Sequence, residues 1–392
     1  MANSVPIFYW TQKTKAYKKT MTVLLIILLG FSAFLFVPEL PISSQNENIN
    51  ASHLDNPFNN RFENGLNIFS NLLLASFLTV STSSASKPPT IDFPKMFINF
   101  NNSWVNETGR GGFKIRPSDE TFDLFTTYLG AFVGRITDLE TIFNYPEGND
   151  PLDAVIASNN TAAGGYKPNP GAENSTLQAT FAAAQIYNLL LNVSLITSAA
   201  TPWVLDRYNE TGELAGFIEV EEQERSLEAT FYAIQYLNVT NYDWTSVNKT
   251  RVFNYLNSTY VNGTEQDYFN NTYDPTRTTL ETTYYGLSAI LGMGMLNSLS
   301  AADVANLTAF IINNQNNVTT DKVQGGIGEN PDNTSLSETF SGIASLSIIG
   351  LHPSISNPFS GLNITLLTDF IKNCQYFPPE GPDSPLYGGF LR

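Results

Sequence analysis

The stretch "TSLSETFSGIASLSII", residues 334–349, carries the fold. Ser335 stands where a helix N-cap belongs, and Glu338 three residues later completes a capping box. Phe340, Ile343, Ala344 and Ile348 then recur at helical spacing. Three earlier segments carry the same word: "STLQATFAAAQIYNLL" from Ser175, "RSLEATFYAIQYLNV" from Arg225 and "TTLETTYYGLSAILGM" from Thr278. The shared pattern is [Ser/Thr]-Leu-x-x-Thr-[Phe/Tyr]-x-[Ala/Gly]. Its leucines are Leu177, Leu227, Leu280 and Leu336, spaced 50, 53 and 56 apart. A degenerate fifth copy, "TFDLFTTYLGAF" from Thr121, reads with Phe122 in the leucine place.

Each copy follows an opener with glycine or an aromatic: "RGGFKIRPSDE", "AGGYKPNPGAEN", "LAGFIEVEEQE", "QDYFNNTYDP" and "QGGIGENPDN". A sixth opener, "YGGFLR", stands at residues 387–392. Second helical runs lie between the words, among them 301–315 and 362–375, each ending in a glutamine. The unit is therefore loop, helix, turn, helix. No β-type alternation of any length appears, so the chain reads as all-α, built from hairpins that bury their faces on their neighbours.

The openers, the Thr-Phe helix starts and the "NCQ" ending resemble the repeats of the protein prenyltransferase β-subunit and terpenoid cyclase family. The resemblance covers about residues 109–392. It implies an α/α toroid, five to six helical hairpins around a largely apolar cavity. It does not by itself imply an activity. In the prenylating relatives a zinc Asp and Cys stand four and two positions before the motif Thr. Here those positions hold Thr176, Ser226, Thr279 and Ser335, and Gln178, Glu228, Glu281 and Ser337. The cyclases' Asp-x-Asp-Asp motif does not occur in the sequence. Arg225 and Arg277 near helix starts do not make a diphosphate clamp. With one cysteine, Cys374, and two histidines, His53 and His352, neither a metal site nor any other cofactor is expected.

The remaining chemistry is in acids and aromatics. Glu228, Glu281 and Glu338 are the candidate catalytic carboxylates, as in other carbohydrate-active α/α barrels. The competing reading is helix capping and solvation. Phe181, Phe231, Tyr284 and Phe340 share one register and are the cavity-lining candidates. The acidic loop "EVEEQE", residues 219–224, reads as solvated surface.

Composition bears on location. Only 14% of residues are charged, and the net charge is −16. Because the first 37 residues hold four lysines and no acid, the remainder carries −20. Such a surface repels phosphate backbones, which argues against a nucleic acid partner. "MTVLLIILLGFSAFLFV", residues 21–37, is uncharged and apolar, with Lys13, Lys15, Lys18 and Lys19 before it. It reads as a transmembrane signal-anchor with a cytoplasmic tail at 1–20. The alternative is a cleaved signal peptide, which would make the chain secreted. Residues 38–60 follow as a linker and 61–392 as an extracellular toroid domain, with 61–80 an extra amphipathic helix.

Sixteen Asn-x-Ser/Thr sequons lie beyond the apolar run, the leading glycosylation candidates being Asn106, Asn174, Asn209, Asn262, Asn270, Asn317 and Asn333. The sequence therefore points to a single-pass surface protein with a non-catalytic, ligand-binding toroid. Its expected partners are the membrane, an isoprenoid or other lipid, or a surface protein or glycan. A diverged prenyltransferase or cyclase, or a carbohydrate enzyme, is the alternative.

Overall fold

The structure is a computed structural model. It describes residues 103–107, 110–115, 119–137, 151–189, 196, 198–219, 224–262, 267–270, 279–317, 324–329 and 334–374. The proposed tail, anchor, linker and extra helix, and the sixth opener, lie outside these residues.

Each of the five repeat words forms a helix: α1 (Leu124–Thr137), α3 (Leu177–Leu189), α5 (Leu227–Val239), α7 (Thr279–Gly292) and α9 (Leu336–Ile349). Between and after them run α2 (Pro151–Ser158), α4 (Ala200–Leu205), α6 (Lys249–Ser258), α8 (Ala301–Asn313) and α10 (Ile364–Asn373). The first set packs in chain order, each helix on the next, as an inner row. Its helices are buried nearly all round, as core helices are. From Leu177 to Tyr187 only Gln178 escapes burial, and from Leu280 to Gly292 only Glu281 does. The second set is one-sided. In α8 the buried residues are Val304, Leu307, Phe310 and Ile311, a helical stripe.

The first repeat corrects the register given above. Leu124, not Phe122, takes the leucine place: it opens α1 and is fully buried, 53 residues before Leu177. Asp123 is the cap, accepting from the Thr126 N–H at 2.7 Å. An aspartate cap and two successive threonines hid the true alignment.

The openers also depart from the all-α expectation. Three form two-stranded antiparallel hairpins: β1 (Trp104–Glu107) with β2 (Arg110–Phe113), β3 (Tyr208–Thr211) with β4 (Leu214–Phe217), and β5 (Tyr260–Asn262) with β6 (Asp267–Phe269). In each, an aromatic faces a phenylalanine across the strands: Trp104 and Phe113, Tyr208 and Phe217, Tyr260 and Phe269. Strands of three or four residues are too short to show alternation in sequence.

A buried hydroxyl ties each of the five described openers to its inner helix. The backbone N–H groups of Phe113, Tyr166, Phe217, Phe269 and Ile327 donate to the Oγ1 atoms of Thr127, Thr180, Thr230, Thr283 and Thr339, at 2.9, 2.9, 3.0, 3.2 and 2.9 Å. Where its own donation is seen, the hydroxyl returns to the carbonyl four residues back, as from Thr127 to Asp123 and from Thr339 to Ser335. This explains the motif threonine. The small residue three places later makes room for the opener's side chain: a Cβ on Gly130 would fall 2.3 Å from the Phe113 ring. Replacing Thr230 by valine keeps the shape but strands a buried N–H. It should lower stability by about 1–3 kcal/mol in urea titrations, with Thr230→Ser losing less.

The glutamine that ends α8's run is a joint between repeats. Gln315 donates through Nε2 to the carbonyls of Gly325 and Asn363, and its Oε1 accepts from the Asn363 N–H at 2.7 Å. It thereby holds an opener against the N-cap of the next outer helix.

Candidate functional site

The inner helices' N-terminal ends gather the acids. Ser335 and Glu338 form the expected capping box. Glu338 is buried, and its carboxylate accepts from the Ser335 N–H and hydroxyl at 3.1 and 2.8 Å. Glu281, half-buried in the first turn of α7, accepts from the Ser337 hydroxyl of the next repeat at 2.7 Å. Glu228 is half-buried in the first turn of α5.

Two further acids at this end were not among the candidates read from the sequence. Glu219, from the loop read as solvated, accepts from the Leu177 N–H at 2.8 Å, capping the preceding repeat's inner helix. Burial raises its pKa; Arg207 opposes that rise and Glu228 adds to it. Glu329 does the same two openers later, accepting from the Thr279 N–H and hydroxyl. Although Glu329 is exposed as a residue, its carboxyl end is partly desolvated. That desolvation raises its pKa, and Glu338 and Glu281 push the same way. The structure therefore groups Glu281, Glu329 and Glu338, while Glu228 pairs electrostatically with Glu219. In the sequence, the signal was an acid two residues past the clamped opener residue.

The raised pKa of Glu329 gives a signed expectation. A carboxyl group whose folded pKa lies above 4.5 favours the folded state below that pH. The advantage is lost as pH rises through the folded value. Glu329→Gln should therefore gain on the wild type as pH climbs from 4.5 to 7. The gain should be a few tenths of a kcal/mol, since an exposed group is screened. Parallel thermal melts across that range would show it.

Beyond the acids lies an aromatic band. Phe181, Phe231, Tyr284 and Phe340 are all buried. Tyr128 meets Phe181 edge-on at 5.7 Å, Phe231 meets Tyr284 at 5.7 Å, and Tyr284 meets Phe340 at 5.7 Å. These rings bridge neighbouring inner helices. The residues that reach across the concave side are others. Phe125 on α1 contacts Tyr232 on α5 at 6.1 Å, past the intervening α3. Tyr232 also accepts from Gln178 Nε2 at 2.7 Å and lies 6.2 Å from Tyr285. The positions two before the motif threonine, Phe125, Gln178, Glu228, Glu281 and Ser337, are half-buried and form the mouth of this concave side. Tyr232 and Tyr285 are its buried floor.

The bases near this end are held by neighbouring groups, Arg207 donating through Nε to the Glu219 carbonyl at 3.3 Å. Arg225 sits over the Tyr255 ring and reaches Asn209 and the Leu214 carbonyl. Arg207 stacks on Trp203. His352 is buried, with Nδ1 2.7 Å from the Ser354 hydroxyl. Cys374 is a half-buried free thiol whose pKa burial raises to about 11. Among the described residues, no group of three or more His, Cys, Asp or Glu is placed to hold a metal ion.

Among the described sequon asparagines, Asn174, Asn248, Asn257, Asn270, Asn306, Asn317 and Asn363 are exposed and Asn159, Asn209 and Asn238 half-buried. Asn106 and Asn262 lie on β1 and β5. Asn333 lies outside the described residues. Among the described residues no helix is long and apolar enough to cross a membrane, and the apolar run 21–37 is not among them.

Residues 194–381 match the prenyltransferase alpha-alpha toroid domain family. Among solved structures, the chain is similar to Candida albicans protein geranylgeranyltransferase-I complexed with GGPP. The two share 17% identity, with a TM-score of 0.49, over 70% of this chain and 82% of that one. No curated protein matches the chain in sequence. Over residues 194–381 the chain is therefore similar to prenyltransferase-like α/α toroids.

Proposed function

We propose that this chain is a cell-surface binding protein whose toroid takes an uncharged apolar ligand, a lipid or isoprenoid, on its concave side. One observation carries the reading: an aromatic floor of Tyr232 and Tyr285 lies beneath a mouth that holds Glu228 and Glu281. The rings offer apolar contact area. The acids, with Glu219, Glu329 and Glu338 close by, repel a diphosphate. At the positions where the prenylating relatives place their zinc Asp and Cys, this chain has Ser, Thr, Gln and Glu. The apolar run at 21–37 would hold the toroid at the membrane, and the exposed sequon asparagines fit an extracellular face.

Native mass spectrometry of the purified full chain tests the binding reading. An uncharged apolar adduct of a few hundred daltons supports it. Preferential retention of a prenyl diphosphate, or its transfer to a cysteine-ended peptide, contradicts it. A second reading rests on the grouping of Glu281, Glu329 and Glu338, which would suit acid–base work on a glycan. It requires hydrolysis of a surface glycan that Glu281→Gln abolishes.

A further inference from the structure

Inner helices are capped twice, once by their own repeat and once by the next. At α1 Asp123 takes the Thr126 N–H, and at α3 the Thr176 hydroxyl takes the Ala179 N–H at 3.0 Å. The first N–H of each helix is left over, because no carbonyl of its own helix can reach it. The next opener supplies the acceptor. The Leu124 N–H donates to the Pro168 carbonyl at 2.7 Å, the Leu177 N–H to the Glu219 carboxylate at 2.8 Å, and the Thr279 N–H to the Glu329 carboxylate. Pro168, Glu219 and Glu329 each stand two residues past the clamped residue of their opener, which is Tyr166, Phe217 or Ile327. The rule is one of position. The residue two past the clamp crosses to the preceding repeat, and a carbonyl serves there as well as a carboxylate.

At α9 only the first cap is present among the described residues. Ser335 takes the Glu338 N–H at 3.1 Å. Leu336, which opens α9, is only partly buried, whereas Leu124, Leu177, Leu227 and Leu280 in the same place are 0% exposed. The start of α9 therefore presents an uncovered leucine flank and a first-turn N–H, with no described opener after it.

The sequence holds one more opener. "YGGF" at 387–390 repeats "RGGF" at 110–113 and "QGGI" at 324–327, and Arg392 stands two past Phe390. The length of chain is also similar. Gln315 lies ten residues before Gly325 and Gln375 thirteen before Gly388, each two residues past the end of an outer helix. Charge agrees as well: Arg392 is basic, and the start of α9 is where Glu281 meets Ser337 and Glu338 meets Glu329.

We propose that the first turn of α9 is the docking site for this sixth opener of the same chain, residues 387–392. The apolar Phe390 and Leu391 cover Leu336, and the Arg392 carbonyl accepts from the Leu336 N–H as the Pro168 carbonyl accepts from Leu124. This docking does not depend on what the concave side binds.

Site-resolved hydrogen exchange on the full chain tests it. The Leu336 N–H should be protected to a similar degree as the Leu177 N–H. Phe390→Asp should speed its exchange at least about fivefold, the factor that one hydrogen bond of about 1 kcal/mol represents. The Leu177 N–H, capped by Glu219, should not change, which reports that the variant is folded. Exchange of Leu336 in the wild type at the rate of an exposed amide overturns the proposal. So does unchanged Leu336 exchange in Phe390→Asp while Leu177 stays protected. The wild-type comparison needs no variant and decides the matter if Phe390→Asp does not fold. Dilution of the wild type by about a hundredfold should leave Leu336 protected. Loss of protection on dilution would mean that a second copy supplies the segment, and would overturn docking within the chain.

Discussion

Replacing Phe231 by alanine is expected to cost about 3–5 kcal/mol of folding stability. Phe231 is 1% exposed and stands near the middle of the inner row. It stacks on Tyr285 at 4.7 Å, lies 5.0 Å from Tyr232 and meets Tyr284 edge-on at 5.7 Å. Truncation removes all three ring contacts at once and leaves a void that packed helices refill only in part. The loss should appear as a lower midpoint in guanidinium titrations, and Phe231→Leu should lose less. Ala305→Gln, on the exposed side of α8, should stay within about 0.5 kcal/mol. If Phe231→Ala were equally mild, the aromatic band would not be the continuous packing layer described above.

The second large effect is at Gly325. This residue has φ +94°, and a Cβ there would fall 2.0 Å from the Leu366 carbonyl oxygen. The obstacle is helix backbone, which cannot swing away as a side-chain tip can. Gly325→Ala should therefore incur about 1–3 kcal/mol for the backbone conformation and about 1–3 more for overpacking. It should also loosen the Gln315 joint, because Gln315 donates to the Gly325 carbonyl itself. Gly212 separates the two causes. It too has a positive φ, +62°, but nothing lies within 4 Å of its Cβ position. Gly212→Ala should show the conformational part alone, roughly 1 kcal/mol. Thermal melts of both variants would give the comparison.

Much of the fold was legible because the repeat writes its helix starts in local chemistry. Ser226 caps α5 by accepting from the Ala229 N–H, and Ser335 with Glu338 caps α9, as the spacing implies. These bonds join residues three apart. The motif threonine was legible as a letter but not as a function, because its partner N–H lies 12 to 14 residues away. Without the opener's path, a buried threonine looks like any other helix residue. The same distance problem hid Glu219 and Glu329, which cap helices about 40 and 50 residues earlier in the chain. Their local surroundings are acidic or glycine-rich, which reads as solvated loop. The first repeat slipped by two residues because its cap is Asp123 rather than Ser or Thr.

The candidate site was legible in composition more than in geometry. The register of Phe181, Phe231, Tyr284 and Phe340 holds, yet their rings bridge adjacent helices. The floor of the concave side belongs to Tyr232 and Tyr285, one residue further on. One residue is about 100° of helix, enough to change which surface a ring serves. Among the glutamates, Glu338 is engaged in its own cap, whereas Glu228 and Glu281 stand at the mouth.

The central claim is that the concave side takes an uncharged apolar ligand. An experimental density map of the purified full chain tests it most directly. The account predicts elongated density passing Tyr232 and Tyr285, with none at the Glu228 and Glu281 mouth that a diphosphate would need. A concave side filled by the chain's own side chains, with no room for a ligand, would contradict it.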